Sequence, residues 1–171
     1  IDIINNDGTL YGRLEHDSDY KNGGKFHPLD SEKIVYVSRT GDDFSVVEYN
    51  FSSSQTKFTE LITDKIWWFG PKYSPDGSLI IFNGQDQNTL NRSLYTLDTN
   101  GNVIKTIFDG EFDVKDGGDF FGFSTDGNTI YFSHRDVNGS NIITMKIDGT
   151  DETSLTSNSR SNIFVDVIFN E

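Results

Sequence analysis

The chain repeats one phrase. Tyr73 opens YSPDGSLIIF and Phe123 opens FSTDGNTIYF, while Phe26 opens FHPLDSEKIVYV, which has one residue more, and Phe169 starts again as FNE. Each copy is an aromatic residue, a turn built on Asp and a run of large apolar residues. The aromatics stand 47, 50 and 46 residues apart. Self-similarity at that period calls for a repeat architecture, in which one unit buries its apolar surface only against its neighbours.

The second half of each unit repeats as well. SLYTLDTNGNVIKTIF (93–108), NIITMKIDGTDETSLT (141–156) and the opening IDIINNDGTLYGRL (1–14) each set Asp-Gly or Asn-Gly between two strand-like runs. Such dipeptides supply the positive φ values that tight hairpins need. One unit therefore reads as four short antiparallel strands, A to D, in which the phrase is A-turn-B and the second half is C-turn-D.

The B runs, Ile34-Val35-Tyr36-Val37, Ile80-Ile81-Phe82 and Ile130-Tyr131-Phe132, are apolar at consecutive positions. Neighbouring residues of a strand face opposite sides of its sheet, so both sides must be covered. A sheet with one wet face would alternate instead. Small sheets buried on both faces, at a period in the forties, fit blades stacked radially about an axis. The expected fold is all-β, a β-propeller of four-stranded antiparallel blades. Phe26, Tyr73, Phe123 and Phe169 are expected at equivalent positions of the inner strands.

Ser74-Pro75-Asp76-Gly77 and Ser124-Thr125-Asp126-Gly127, each followed by an apolar B run and then a hairpin turn, resemble the TolB-like propeller repeat. The resemblance spans almost the whole chain and is strongest over 66–109 and 117–156. Over 20–63 it departs from the pattern, since Pro28-Leu29-Asp30-Ser31 lacks the turn glycine. Three whole blades are expected at about 20–63, 66–110 and 117–157. Residues 162–171 and 1–15 would combine into a fourth, irregular terminal blade without a B strand; the other reading is an excerpt of a larger propeller.

Composition removes several classes of function. Twenty-seven acidic against 14 basic residues leave a net charge of −13, which argues against nucleic acid as a partner. No apolar run approaches the length of a membrane span. Without cysteine there are no disulfides, thiolate metal sites or thiol nucleophiles. No Gly-x-Ser-x-Gly elbow, His-Glu-x-x-His pair or phosphate loop occurs. Asp76 and Asp126, repeated in phase, read as turn residues whose side chains bond following amides. His27 stands where other units have Ser74 and Ser124, so a turn-bonding role is expected for it too.

The candidate ligand-binding residues lie on the rim opposite the Asp-Gly turns. That rim is expected to carry the longer, variable loops 17–23, 39–43, 63–70, 84–91, 109–119 and 135–140. Trp67, Trp68 and Phe69 hold both tryptophans of the chain and would stack on a sugar or anchor a protein; the plainer reading has them filling space between blades. Asp113, Asp116 and Asp119 are charged candidates, and carboxylates so clustered suit calcium. A solvated acidic loop is the plainer reading of that segment.

The resemblance implies a non-catalytic scaffold for a protein or peptide partner, in the periplasm, at the cell surface or secreted. A carbohydrate-binding accessory module of a glycan-degrading protein is an alternative resting on the tryptophans. A propeller lyase or hydrolase is another. An incomplete terminal blade would expose sheet edges and favour self-association.

Overall fold

The computed structural model describes residues 2–14, 20–53, 57–62, 65–66, 70–86, 92–109, 121–136 and 139–157. Fifteen strands and no helix are present among them. β1 (Asp2–Ile4) and β2 (Leu10–Arg13) form an antiparallel pair. β3 (Tyr20–His27), β4 (Asp30–Thr40), β5 (Asp43–Asn50) and β6 (Lys57–Ile62) form a sheet in chain order. The next sheet contains β7 (Lys65–Ile66), β8 (Lys72–Tyr73), β9 (Leu79–Asp86), β10 (Arg92–Asp98) and β11 (Val103–Asp109); both β7 and β8 pair with β9. β12 (Phe121–Phe123), β13 (Thr129–Asp136), β14 (Gly139–Lys146) and β15 (Thr153–Ser154) make the last described sheet, again in chain order. The described residues contain no helix long and apolar enough to cross a membrane.

The repeat is exact in register. Phe26 faces Ile34, Tyr73 faces Ile80 and Phe123 faces Ile130 across the A–B pairs. Phe169, the fourth aromatic, lies outside the described residues. The second hairpins repeat just as closely. In each, the turn glycine donates its amide three residues back: Gly8 to the Asn5 carbonyl, Gly101 to Asp98 and Gly149 to Lys146. Asn5, Asp98 and Lys146 in turn donate to the carbonyls of Thr9, Asn102 and Thr150. β1 and β2 are therefore the C and D strands of a unit, as the sequence implies.

Consecutive apolar residues send alternate side chains into different interfaces. Ile34 and Tyr36 of β4 join Leu14, Val47 and Tyr49 in a core with Ile3 of the first hairpin packed against it. Val35, between them, joins Val46 in a core with Tyr73, Ile80, Phe82, Tyr95 and Leu97 of the next sheet. Ile81 then turns the other way, to Leu94, Ile107, Phe121, Ile130, Phe132, Ile143 and Met145. The hairpin and the three sheets thus stack in chain order through three separate apolar layers. This is the reason for the unbroken apolar runs.

Polar latches tie the layers together. The Tyr73 hydroxyl donates to Glu48 Oε2 at 2.7 Å, joining the second sheet to the first. Lys72 Nζ donates to the Phe121 carbonyl at 2.6 Å and lies over the Phe121 ring. Lys105 Nζ reaches the Asp148 carbonyl. Burial and the Glu48 bond push the Tyr73 phenol far above its ordinary value, so it stays a donor.

Gly23 and Gly70 meet backbone to backbone. A Cβ on either would overlap the main chain of the other, and Gly23 has a φ of 68°. β3 and the residue two before β8 come together here at a distance that leaves room only for hydrogen.

The expected loops shorten: Tyr20–Gly23 belong to β3, Gly84–Asp86 to β9 and Asp109 to β11, and three further expectations change. Residues 39–43 are not a long loop, because β4 and β5 pair down to Thr40↔Asp43 around Gly41 and Asp42. Residues 135–140 also pair, through Arg135↔Ser140 and Asp136↔Gly139, leaving a two-residue connection. Lys65 and Ile66 belong to an inner strand rather than a connection, since they pair with Asp86 and Gln85. In each case the ladder extends through polar residues, which the apolar pattern does not mark.

Candidate functional site

The turns between A and B strands show how local sequence sets local structure. The Ser74 hydroxyl donates to Asp76 Oδ1 at 2.6 Å and accepts from the Leu79 amide at 3.0 Å; Asp76 also accepts from the Ser78 amide. Ser124, Asp126, Asn128 and Thr129 repeat this network bond for bond. These bonds favour the charged carboxylates and hold both Asp76 and Asp126 near a pKa of about 2. Both aspartates are thus committed to their turns, as expected from their phase.

The Phe26 unit is built differently. β3 and β4 close on a two-residue turn, Pro28 and Leu29, with His27 opposite Asp30. His27 Nδ1 accepts the Leu29 amide at 3.2 Å, while Asp30 accepts the Glu32 amide at 3.1 Å. The amide of Glu32, with help from Lys33, holds the Asp30 carboxyl below its ordinary value. The imidazole packs edge-on against Tyr73 at 4.7 Å between centroids and lies over Gly77, where a Cβ would strike it. Pro75 stands over Gly127 in the same manner. Each turn glycine therefore serves twice: it adopts a positive φ, 73° at Gly77 and 72° at Gly127, and it admits the preceding blade's turn.

Equivalence in register does not produce equivalence in burial. Tyr73 is 7% exposed, whereas Phe26 is 46% exposed, although the two hold equivalent positions in register. The cause is the neighbour. Tyr73 is covered by Val35 and Val46, from the B and C strands of the preceding sheet. Among the described residues, β1 and β2, a C and a D strand, stand in front of Phe26, and β1 pairs there only with β2.

The space left there is a groove of about 670 Å³. Its walls include Ile3 and Ile4 of β1, Tyr11 of β2, Phe26, and the turn from His27 to Glu32. Tyr11 is fixed by a 2.6 Å bond from its hydroxyl to Glu32 Oε1 and by an edge-on contact with Phe51. That bond is the main reason the Tyr11 phenol is raised above its ordinary value. Among the described residues of the lining, Asp30 and Glu32 are acidic and none is Lys or Arg. The groove opens on the rim of the tight turns, between Asn5-Asn6 and Pro28-Leu29.

Trp67, Trp68, Phe69, Asp113, Asp116 and Asp119 lie outside the described residues. The flanks of the tryptophan segment are described, however. Ile66 pairs with Gln85 and Lys72 with Ile81, both residues of β9. Among the described residues no group of three or more His, Asp or Glu side chains is placed to hold a metal ion. Sequence reasoning did not find the groove, because Phe26 carries the same local pattern as Tyr73.

These four-stranded sheets, stacked in chain order with the inner strand first, define a β-propeller. No protein-family model and no curated protein matches the sequence. Solved structures do. A protein assigned as TolB from Agrobacterium tumefaciens is similar with a TM-score of 0.65 at 20% identity, over 91% of this chain and 57% of that one. The β-propeller domain of the Trilobed protease from Pyrococcus furiosus gives 0.57 at 15% identity, over 80% and 43%. An oligogalacturonate lyase in complex with manganese gives 0.58 at 10% identity, over 78% and 35%. The fold is that of a TolB-like β-propeller, and the chain spans between about a third and three fifths of these neighbours' lengths.

Proposed function

We propose that this propeller is a non-catalytic scaffold that binds a protein or peptide partner, and that the groove between β1 and the Phe26 turn is its contact. One observation carries the reading. Of six large apolar side chains exposed on the described surface, Ile4, Tyr11, Phe26 and Leu29 line the groove, and Leu10 pairs with Ile4 beside it; Leu155 alone stands elsewhere. Isolated exposed apolar residues are ordinary, but a contiguous patch rimmed by polar groups marks an interaction surface. The fold agrees with this role without requiring it, since its neighbours include a lyase and a protease domain. A periplasmic, cell-surface or secreted setting belongs to the same reading, through the TolB likeness.

The test is site-specific photo-crosslinking from Leu29, with Asn100 as the reference position. A partner trapped at Leu29 is then identified, purified and titrated against wild type and Leu29→Glu. Loss of affinity on Leu29→Glu supports the groove as the contact. A partner that crosslinks equally from Asn100, or binds Leu29→Glu unchanged, refutes it.

A further inference from the structure

We infer that Asn50 is an acceptor for an N-linked glycan, presented by the turn that follows β5. The inference concerns a different site from the groove and goes beyond the partner-binding reading.

Asn50-Phe51-Ser52 has the Asn-x-Ser pattern of a glycan acceptor, and so do Asn91-Arg92-Ser93 and Asn138-Gly139-Ser140. So short a pattern arises easily by chance in a chain rich in Asn and Ser, and the fold is what separates the three. Ser93 pairs inside β10 and is 3% exposed; Ser140 pairs inside β14 and is 1% exposed. The hydroxyl that a transferring enzyme must read is closed off at both. Asn91 and Asn138 themselves lie outside the described residues. Asn50 is the half-buried last residue of β5, and Ser52 stands beyond the strand, exposed.

The turn fixes how the acceptor is presented. Asn50 Oδ1 accepts the Ser52 amide at 2.9 Å and the Ser52 hydroxyl at 2.7 Å. An N–H group donates only to the oxygen of a carboxamide, so Oδ1 is turned to Ser52 and Nδ2 takes the other side. The Ser53 hydroxyl donates to the Asn50 carbonyl at 3.2 Å. Phe51 anchors the middle of the pattern. Its amide donates to the Glu32 carbonyl at 2.7 Å, and its ring meets Tyr49 and Tyr11 edge-on at 4.6 and 5.6 Å between centroids. The corresponding turns of the other units tighten around Gly8, Gly101 and Gly149, whereas residues 50–56 contain no glycine.

The donor class is an oligosaccharide on a polyisoprenyl diphosphate. Nδ2 attacks the anomeric carbon of its first sugar. The bond from that carbon to the diphosphate oxygen breaks, the lipid diphosphate leaves with the electron pair, and Nδ2 gives one proton to a base of the transferring enzyme. The product is bulky and hydrophilic and has to remain in water, which an exposed turn permits.

The purified, folded protein is incubated with a single-subunit oligosaccharyltransferase and a lipid-linked oligosaccharide, and read by intact mass and peptide mapping. The enzyme preparation is one that first modifies a synthetic peptide of residues 46–56. Occupancy at Asn50 should exceed that at Asn91 or Asn138 by at least about tenfold, because the other two require their strands to open. Asn50→Gln and Ser52→Ala should abolish the modification, and Ser52→Thr, which keeps the hydroxyl, should retain it. Circular dichroism and urea midpoints establish that each variant is folded. An unmodified Asn50 in the folded protein overturns the inference. So does equal occupancy at all three asparagines, since the three-residue pattern and not the turn would then decide. Modification of Ser52→Ala at the wild-type level overturns it as well. None of these outcomes bears on the crosslinking test of the groove.

Discussion

Replacing Tyr73 and Phe26 by alanine, one at a time, measures what a neighbouring blade contributes to the same repeat position. Tyr73 is 7% exposed and sits in a closed layer with Val35, Val46, Ile80, Phe82, Tyr95 and Leu97. Truncation there loses the transfer free energy of the ring and leaves a cavity, together about 3–5 kcal/mol. It also strips Glu48 of the 2.7 Å bond from the phenol, a charged acceptor whose lost bond adds about 1–2 kcal/mol if water does not replace it. Phe26 is 46% exposed and borders an open groove, so no cavity forms. What remains is about half the transfer term of a buried aromatic, or roughly 1 kcal/mol. The expected gap between the variants is therefore about 2–4 kcal/mol from packing alone, and about 3–6 kcal/mol with the lost bond. Urea unfolding at neutral pH reads it directly, provided the slope against denaturant stays constant between variants. Costs equal to within about 0.5 kcal/mol would refute the argument, because Phe26 would then have a cover as complete as that of Tyr73.

Three further outcomes are expected. Asp76 and Asp126 ordinarily titrate near 3.8 and are held at about 2 in their turns; their stabilisation is complete above the ordinary value and is lost as the pH falls from about 4 to about 2. Thermal melts across that range should lose less stability in an Asp76→Asn, Asp126→Asn double variant than in wild type. Gly70→Ala forces a methyl into the backbone of Gly23 and should cost roughly 1–3 kcal/mol; Gly41→Ala meets no atom within 4 Å and costs only the strain of its positive φ, so equal losses in urea would deny the close approach. Gly77→Ala drives a methyl into the His27 ring, and adding His27→Ala should recover part of the loss, a coupling of about 0.5 kcal/mol or more in a double-mutant cycle.

Phase, strand number and blade order were legible because they depend on local chemistry. Asp-Gly and Asn-Gly turns fix where chains reverse, and consecutive apolar residues require cover on both faces. Positions 34, 80 and 130 repeat in the sequence and recur in the register. The loops at 39–43 and 135–140 were misjudged for a physical reason. Near their ends β4, β5, β13 and β14 keep their hydrogen bonds through polar residues, and a backbone ladder needs no apolar side chain to continue. The split inner strand at Lys65-Ile66 was hidden similarly, since two paired residues carry no period.

The groove was illegible to a reading that treats repeats as equal. Phe26 and Tyr73 carry the same local signal, and their register is the same; only what stands in front of them differs. Burial in a stacked repeat is a property of a pair of units, so it is read correctly only when each residue is assigned to an interface. The test of that assignment is already present in the side chains. Around Tyr73, which β4 precedes, the apolar layer is closed and the bond to Glu48 is partly buried with it. Around Phe26, Tyr11 instead bonds Glu32 at the rim, and the apolar side chains of Ile4, Phe26 and Leu29 stay exposed.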